Sequence, residues 1–485
     1  MNENVAGLAP PQVWTWFERL NEIPRPSKKE DQVIEFVVGI GKQLGLETIV
    51  DDIRNVIIRK PATAGKESCT PVVLQAHLDM VHQKNSDTDF DFATQGIQSF
   101  IDGNWVKAKG TTLGADNGMG VASILAVLAS DDLQHGPLEA LFTIDEETGM
   151  TGALQLKPGL LQGKILLNTD TEDEGELTIG CAGGLDSTIS VDGSAAAAST
   201  GSAVRVSVTG LCGGHSGCEI HLGRGNANLI MNRILQHCGG KPDCGFEIAN
   251  VAGGNLRNAI PRECFALLNV TGDASALIDT VSEIAAVIGK EIQEADPGLS
   301  VTAEAVSDSI DQVLPPETAV ALMKAIAAAP AGVIRMSEGI PDLVETSTNL
   351  SKVSIQPDQI KIDFLSRSSV NSARDQVSQD IEAAFAPLQA TATHSGEYPG
   401  WEPKPDSEIL VLMKQVYQEL FDKPPIVNAV HAGLECGIIG SHYPEMEMVS
   451  LGPTIKNPHS PDEKCHIPSV ASYWTFLTEV LCQIT

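Results

Sequence analysis

The segment Pro71-Val-Val-Leu-Gln-Ala-His77-Leu-Asp79 is an apolar run that ends in a histidine and an aspartate. Residues 71–76 predict a strand, because continuous apolar runs of this length are typical of a sheet covered on both faces. Two runs of the same kind follow at 138–144 and 164–168. An alanine-rich stretch at 118–128, between the apolar runs at 71–76 and 138–144, predicts a helix. Strands and helices that alternate in this way indicate an open α/β sheet.

The sequence pattern changes near residue 186. The alanine- and serine-rich residues 192–201 predict an exposed loop or inter-strand turn. Helices are predicted next at 226–238, 274–292 and 317–328, followed by a hairpin at 353–364. The α/β pattern then resumes with a helix at 407–421 and a strand at 448–451. We therefore predict the α/β class, with one domain split between residues 1–186 and 399–485 and built on a mixed central sheet covered by helices. Residues 187–398 are predicted to form an inserted α+β domain with an antiparallel sheet and one helix layer.

Near the N-terminus, Ser27 and Glu30 have the spacing of a capping box, and apolar residues follow at helical spacing up to Gly45. This pattern predicts a helix that begins next to Ser27. The short apolar run at 56–58 predicts a strand after that helix.

The composition narrows the possible functions. The 485 residues contain 63 Asp and Glu against 32 Lys and Arg, a formal charge of −31. Binding to nucleic acid or to an anionic membrane depends on Lys and Arg, so we expect neither. No stretch reaches the ~18 apolar residues of a membrane span, and residues 1–16 lack the pattern of a secretory leader. The ten cysteines form no Cys-x-x-Cys pair, which indicates idle thiols in a reducing compartment, and we expect a cytoplasmic protein.

Residues that can bind metal follow the predicted strands. They occur as His77-Leu-Asp79, Gly114-Ala-Asp116-Asn117, Glu146-Glu147-Thr-Gly149 and Asn168-Thr-Asp170, and the returning segment adds His459. In open α/β sheets the carboxyl ends of the strands form the site, so these residues should converge. Two imidazoles and several carboxylates suit Zn²⁺ or a similar divalent ion. Two ions are favoured over one, since a bridging carboxylate lets paired ions orient water and polarise a carbonyl together.

Two spacings suggest divided roles within this set. Asp79 lies two residues beyond His77, hence on the same face of an extended segment, where its carboxylate can orient the imidazole. Of the adjacent Glu146 and Glu147, one can bind metal while the other acts as general base. Taken singly, a His-x-Asp after a strand is usually incidental, and a Glu-Glu pair is usually a solvated face. Their ordered recurrence at strand ends favours a site.

The same series resembles the co-catalytic di-zinc metallopeptidases, a family that includes dipeptidases, aminoacylases and glutamate-type carboxypeptidases. The resemblance covers nearly the whole chain. Four longer strings are similar to those of the bacterial aminoacyl-histidine dipeptidases, carnosinase-type enzymes that cleave Xaa-His dipeptides: Arg59–Gly65, Gly180–Gly184, Asn255–Glu263 and His431–Gly437. The resemblance implies that the split domain is the catalytic di-metal domain. It also implies that the inserted domain is a lid that binds substrate and can form a homodimer contact.

The resemblance further implies a role for each metal-competent residue. Asp116 would bridge two Zn²⁺ ions, for which Co²⁺ or Mn²⁺ can substitute. His77 and Asp170 would complete the protein ligands of one ion. Glu147 and His459 would complete those of the other ion.

Three residues would form the catalytic set. Glu146 would be the general base and acid, and Asp79 would support the neighbouring histidine ligand. His215, in Gly213-Gly-His-Ser-Gly217, matches the lid histidine that stabilises the tetrahedral oxyanion in the family, as an imidazolium can in a water-poor cleft. The family also has a cis peptide bond after the bridging aspartate, here before Asn117.

Asn258 and Arg367 fall where the family binds the C-terminal carboxylate of the substrate, a planar anion that suits arginine. Glu435 would face the substrate or the ligand shell. Without the resemblance, His215 would be interpreted as a turn histidine and Arg367 as a surface charge.

The implied function is zinc-dependent hydrolysis of small dipeptides, preferentially Xaa-His such as β-Ala-His, by a metal-bridging water with Glu146 as base. The alternatives are an N-acyl amino acid deacylase or a carboxypeptidase on the same di-zinc scaffold. A non-catalytic member that binds metal or peptide is a further alternative, although no ligand or base is missing from the motifs.

Overall fold

The computed structural model describes residues 4–485, which divide into two compact units. The first unit contains the described residues up to Gly180 together with Trp401–Ala429 and Leu434–Thr485. The second contains Cys181–Gly400 and the short segment Val430–Gly433. The sequence pattern placed the insertion at 187–398 and gave no sign of the segment 430–433.

Twelve α-helices occur among the described residues. In chain order they are α1 Pro11–Asn21, α2 Asp31–Gln43, α3 Ala115–Ala129, α4 Glu146–Gly149, α5 Thr151–Gln155, α6 Ala227–Gly239, α7 Ala274–Glu291, α8 Pro316–Ala328, α9 Asn371–Phe385, α10 Glu408–Phe421, α11 Glu435–His442 and α12 Ile467–Gln483. The side chain of Asn226 caps α6 by accepting from the amides of Asn228 and Leu229. Within residues 4–485, no helix combines the length and the apolar composition needed to cross a membrane.

The strands are numbered in chain order. They are β1 Glu47–Val50, β2 Val56–Lys60, β3 Val72–His77, β4 Ser99–Asp102, β5 Trp105–Ala108, β6 Leu138–Thr143, β7 Ile165–Asn168, β8 Glu176–Cys181, β9 Gly183–Asp192, β10 Ala196–Ala197, β11 Ser202–Thr209, β12 Gly214–His215, β13 Phe246–Gly253, β14 Ala259–Ile260, β15 Cys264–Val270, β16 Ser300–Ala305, β17 Gln312–Val313, β18 Gly332–Met336, β19 Val344–Ile355, β20 Gln359–Ser368, β21 Thr391–Tyr398, β22 Ile426–Val430, β23 Glu447–Ser450, β24 Ile455–Lys456 and β25 Lys464–His466.

The first unit is built on an eight-stranded mixed sheet in the order β1-β2-β6-β3-β7-β23-β8-β22. The central neighbours β6, β3, β7 and β23 are parallel to one another. Every residue of β3 and β6 is buried, as expected for strands covered on both faces. Since the four strands are parallel, their carboxyl ends lie at one edge of the sheet: Thr143, His77, Asn168 and Ser450. The predicted split α/β arrangement is confirmed, and its parallel block sets up the site.

The second unit contains a nine-stranded antiparallel sheet in the order β16-β11-β15-β13-β19-β20-β9-β21, with β18 paired to β19. Its core combines strand residues such as Val206 and Phe364 with helix residues such as Ile234 and Val281. The predicted hairpin at 353–364 is confirmed, since Ile355 pairs with Ile360. The α+β character of this unit matches the fold class predicted from the sequence.

The predicted capping box is wrong. Helix α2 begins at Asp31, and Glu30 makes no side-chain capping bond to it. The carboxylate of Glu30 instead accepts from the amides of Lys28 (2.8 Å) and Asp145 (3.2 Å). The hydroxyl of Ser27 donates to the carbonyl oxygen of Met80. A local amide and two distant backbone groups therefore bind the polar side chains that the capping box would have used.

Candidate active site

Polar side chains lie at the edge of the sheet where the parallel strands end. His77 is the last residue of β3, and Glu146 and Glu147 begin α4, three residues after β6. Asp170 lies two residues after β7. Asp116 lies in the first turn of α3, where the backbone departs from helical angles. Each position follows from where a strand or helix begins or ends.

One group joins the end of β3 to the residues after β7. The Nε2 atom of His77 lies 3.2 Å from Oδ1 of Asp116 and 3.4 Å from Oδ1 of Asp170. One ligand atom from each of these three residues lies within 4.8 Å of the others. The side-chain amide of Asn117 also donates to Asp170, which fixes the orientation of that carboxylate.

A second group uses the other oxygen of Asp116. The Nε2 atom of His459 lies 3.2 Å from Oδ2 of Asp116 and 3.1 Å from Oε2 of Glu147. These three residues also present ligand atoms within 4.8 Å of one another. Asp116 therefore belongs to both groups, one oxygen facing each. The peptide bond between Asp116 and Asn117 is cis, in agreement with the expectation from the resemblance.

Asp79 contacts both His77 and the start of α4. Its two carboxylate oxygens accept from the amides of Glu146 (3.0 Å) and Glu147 (3.2 Å), the first two residues of α4. The Nδ1 atom of His77 lies 3.1 Å from the backbone oxygen of Asp79 and 3.4 Å from its Oδ1 atom. A hydrogen bond from Nδ1 leaves Nε2 to face Asp116. The geometry matches the supporting position that the sequence indicated, while the role itself stays a prediction.

The two histidines are strongly influenced by the surrounding acids. Burial alone would lower the pKa of His77, but the carboxylates of Asp170 and Asp116 raise it well above its ordinary value. Hydrogen bonds to Asp116 and Glu147 raise the pKa of His459 to about 11. Both shifts have the same cause, which is the negative charge that surrounds the two imidazoles. A divalent ion would displace a proton from the nitrogen that binds it, as metal binding to histidine generally does.

Glu146 differs from its neighbour Glu147. It groups with His77 and Glu147, and both glutamates are partly buried. Burial raises the pKa of Glu146 well above its ordinary value, and repulsion from Asp170 and Glu435 adds to that rise. A carboxyl group with a raised pKa next to metal-competent side chains can hold and release a proton near neutral pH.

The residues present fit two divalent cations. Oxygen Oε1 of Glu147 is buried and has no hydrogen-bond partner, although the other oxygen faces His459. An unpaired buried carboxylate oxygen is costly unless a cation or donor approaches it. Two groups of one histidine and two carboxylates, sharing Asp116, are the donor set of a paired metal site. They contain the same residues as the ligand sets expected from the resemblance, and metal binding by these residues stays a prediction.

Glu30, Asp79 and Asp145 form another acidic group with closely spaced oxygens. Here backbone amides and the hydroxyls of Thr148 and Thr151 occupy the carboxylates. Hydrogen bonds from the protein itself therefore occupy these carboxylates, which lie next to the start of α4.

The second unit holds His215, Asn258 and Arg367. His215 ends β12, which pairs with β14, and the backbone oxygen of Asn258 accepts from the amide of Ser216 at 2.8 Å. The Nδ1 atom of His215 accepts from the amides of Gly217 (3.2 Å) and Cys218 (3.0 Å). Burial and the charge of a nearby arginine lower the pKa of His215. Together these features favour a neutral ring with its proton on Nε2, rather than the imidazolium considered from the sequence.

Arg367 lies close to His215 on the same unit. A Cβ atom added to Gly217 would lie 3.1 Å from the His215 ring and 3.2 Å from Cδ of Arg367. Arg367 is 5% exposed, and its Nη1 atom donates to the hydroxyl of Tyr398 at 2.8 Å. Its Nε atom is buried without a partner. Burial, with the charge of Arg367, lowers the pKa of His431 to about 3.

Glu435 lies in the first unit and is almost completely buried at the start of α11. Its Oε2 atom accepts from Gln75 and from Thr143, each at 2.7 Å. Burial raises its pKa to about 7. Contact with substrate stays a prediction for Glu435, whose protein contacts lie with the strands beneath the site.

Sequence reasoning missed three residues next to the predicted ones. Glu463 and Arg25 contact the backbone around Asp116 and are both buried. His431 was quoted only as part of a similar string, and the structure places it beside Arg367. The only feature of the sequence that pointed to Glu463 as part of the site was its position four residues after His459. Nothing local distinguished it from the solvated acids around it.

The chain matches the family described as Peptidase family M20/M25/M40 over residues 73–483. It therefore belongs to the M20 peptidase family, a metal-dependent family, and is a peptide-bond hydrolase. The resemblance inferred from the motifs is confirmed, and the alternative of a non-catalytic member is not supported.

Individual relatives extend over the whole chain. The chain is 45% identical over 482 residues to the cytosol non-specific dipeptidase of Escherichia coli (strain K12), with 98% of each chain covered. The crystal structure of aminoacylhistidine dipeptidase from Vibrio alginolyticus has a TM-score of 0.93 and 42% identity, covering 100% of this chain and 98% of that chain. Aminopeptidase PepT from Bacillus cereus shares the fold, with a TM-score of 0.63, 16% identity and coverage of 98% and 99%.

Adding Zn²⁺ to the metal-free protein should raise its melting temperature. A ligand that binds only the folded state stabilises it by about 4 kcal/mol at a thousandfold excess over its dissociation constant. Asp116→Asn should lose most of this increase, because both groups share Asp116. Differential scanning fluorimetry with and without Zn²⁺ measures the effect. The exposed Glu445→Gln is the control and should keep the wild-type increase; an equal increase in Asp116→Asn would contradict the shared site.

Proposed function

We propose that the chain is a dipeptidase that binds two Zn²⁺ ions and prefers Xaa-His dipeptides such as β-Ala-His. The observation that carries the proposal is the shared position of Asp116, one oxygen of which faces each histidine–carboxylate group. The two full-length relatives support dipeptides as the substrate class, since both are named as dipeptidases. Their names differ in stated specificity, so the preference for C-terminal histidine needs its own test.

The proposed reaction divides the work among the residues of this chain. When bound, the two ions would supply Lewis acidity and positive charge beside the scissile carbonyl. Glu146 accepts a proton from the attacking water, whose oxygen bonds to the carbonyl carbon. As the C–N bond breaks, Glu146 returns that proton to the leaving nitrogen, which releases two amino acids. The raised pKa of Glu146 suits a group that both accepts and donates a proton.

The remaining residues are proposed to hold the substrate. The Nε2 proton of a neutral His215 would donate to the developing oxyanion, since two backbone amides occupy Nδ1. Arg367, with an unpartnered Nε atom, and Asn258 would bind the terminal carboxylate. Asp79 would hold both His77 and the start of α4 in place.

We also propose, from the resemblance, a homodimer formed through the inserted unit, and a cytoplasmic location, which the name of the Escherichia coli relative supports. The formal charge of −31 supports the absence of nucleic-acid and membrane partners. Light scattering on the purified protein measures its mass directly, and a monomer at micromolar concentration would rule out the dimer.

Glu146→Gln should lower kcat for β-Ala-His by about 10²–10⁴-fold, the usual contribution of a general base. Its metal content should stay at two ions per chain, because Glu146 is not among the proposed ligands. Steady-state kinetics and elemental analysis on the same preparation measure both quantities. Glu147→Gln is the matched comparison, since the same substitution one residue away should weaken metal binding. A Glu146→Gln variant within tenfold of wild-type kcat would contradict the assignment.

A substrate panel should separate the dipeptidase from its alternatives. We expect kcat/KM for β-Ala-His to exceed that for N-acetyl-histidine and for a peptide with C-terminal glutamate by at least tenfold, with Zn²⁺ or Co²⁺ present. The reversed dipeptide His-β-Ala controls for the position of histidine, and β-Ala-His amide removes the carboxylate proposed to meet Arg367. Faster cleavage of N-acetyl amino acids would identify a deacylase. Equal cleavage of β-Ala-His and His-β-Ala would contradict the preference for C-terminal histidine.

A further inference from the structure

Glu463 binds the backbone that carries Asp116. It is 2% exposed, and its carboxylate accepts from four successive amides. Oxygen Oε2 accepts from Leu113 (2.7 Å) and Gly114 (3.0 Å), and Oε1 accepts from Ala115 (2.7 Å) and Asp116 (3.3 Å). These four amides precede or begin α3, where a helix leaves its first amides without internal partners.

The loop that supplies Glu463 also supplies His459. The imidazole of His459 faces the carboxylate of Asp116 at 3.2 Å, while Glu463 faces the amide of the same residue. This loop lies more than 340 residues along the chain from Asp116. One segment therefore approaches both the side chain and the backbone of Asp116.

Arg25 joins the same backbone to the end of β3. It is 1% exposed, and its Nη2 atom donates to the carbonyl oxygen of Gly114 at 2.5 Å. Its Nη1 atom donates to the carbonyl oxygens of Leu78 (3.2 Å) and Asp79 (3.3 Å), directly after His77. Arg25 thus links the two segments that carry the ligands His77 and Asp116.

Gly114 shows how closely this junction is packed. Its φ is +67°, and an added Cβ atom would lie 2.5 Å from Nη2 of Arg25 and 2.8 Å from Sδ of Met80. A side chain at this position would therefore displace Arg25 and also require a left-handed backbone that glycine adopts most readily.

Arg25 and Glu463 are a base and an acid that hydrogen-bond to the same backbone segment. Both side chains are almost completely buried, and a buried charge is retained only where it is paired and hydrogen-bonded. Among the carboxylates that favour the charged guanidinium of Arg25, Glu463 exerts the largest influence. The pair encloses the backbone of residues 113–116, with the acid on the amides and the base on a carbonyl.

We propose that Glu463 and Arg25 are positioning residues that clamp residues 113–116, so that the two oxygens of Asp116 face the two cation sites. The inference deepens the proposed function and rests on it for the two ions. Metal ligands held by such supporting hydrogen bonds typically lose about 10–100-fold in metal affinity when the support is removed.

Glu463→Gln tests the clamp with little change in shape. The new NH₂ group faces two of the four backbone amides, donor against donor. We expect the dissociation constant of the metal-free protein for Zn²⁺, measured by competition with a chromophoric chelator, to rise about 10–100-fold. Arg25→Lys should raise it in the same direction, because lysine cannot reach Gly114 and the end of β3 together.

Glu139→Gln is the matched control. Glu139 is also a buried carboxylate of the first unit that accepts two backbone amides, those of Gln162 (2.6 Å) and Gly163 (2.8 Å), and pairs with Arg59 at 2.9 Å. It lies at the opposite end of β6 from the site. Glu139→Gln should lower the melting temperature while leaving the Zn²⁺ dissociation constant within threefold of wild type.

Hydrogen exchange on the wild-type protein tests the clamp even if the variants fail to fold. The amides of residues 113–116 should be protected at least a hundredfold relative to those of the exposed residues Ser86 and Asp87 without metal present. Unprotected amides, or a Glu463→Gln variant with wild-type Zn²⁺ affinity, would overturn the clamp. A wild-type protein that binds Zn²⁺ tightly but cleaves no dipeptide would overturn the proposed function and leave the clamp standing.

Discussion

The main electrostatic constraint on the first unit is the repulsion among the carboxylates gathered at one edge of its sheet. Asp116, Glu147 and Asp170 lie around His77 and His459 with separations of 3.1–3.4 Å to the nearest histidine nitrogen. Acids held this close, and this deeply, require positive charge among them. Two divalent ions would supply that charge between the histidines and the carboxylates. The buried Oε1 atom of Glu147 has no hydrogen-bond partner and would be stabilised by a cation beside it.

Hydrogen bonds from backbone amides to two further buried carboxylates hold these acids in place. Asp79 holds the amides at the start of α4, and Glu463 holds those at the start of α3. In both cases a buried carboxylate uses the unpaired amides of a helix N-terminus as its donors. The two helices that present Glu147 and Asp116 are therefore anchored by acids outside the two proposed ligand groups. The parallel block β6-β3-β7-β23 sets the edge to which all of these segments return.

Much of this arrangement could be predicted from the sequence, because its signals are local. The apolar runs that became β3, β6 and β7 identified the parallel strands, and polar residues just past each run identified the edge. The adjacent positions of Glu146 and Glu147 suggested a division of roles, which stays a prediction. Asp116 was harder, since its orientation toward both histidines depends on a departure from helical angles at the start of α3.

What could not be predicted depends on partners that are distant in sequence. Glu463 meets the amides of residues 113–116 across some 350 positions, and a single acid in a polar loop carries no sign of that contact. The capping box is wrong partly for the same reason, because Ser27 and Glu30 also bind backbone groups of Met80 and Asp145, 53 and 115 residues away. Burial of His431 beside Arg367 likewise arises from tertiary packing of the second unit.

The most direct measurement is anomalous X-ray diffraction at the zinc edge from crystals grown with Zn²⁺. Two peaks should lie about 3.5–4 Å apart, with one on each side of the Asp116 carboxylate. Each should lie about 2.0–2.2 Å from an oxygen of Asp116, one next to His77 and the other next to His459. A single peak, or peaks that do not contact Asp116, would contradict the paired site on which the account depends.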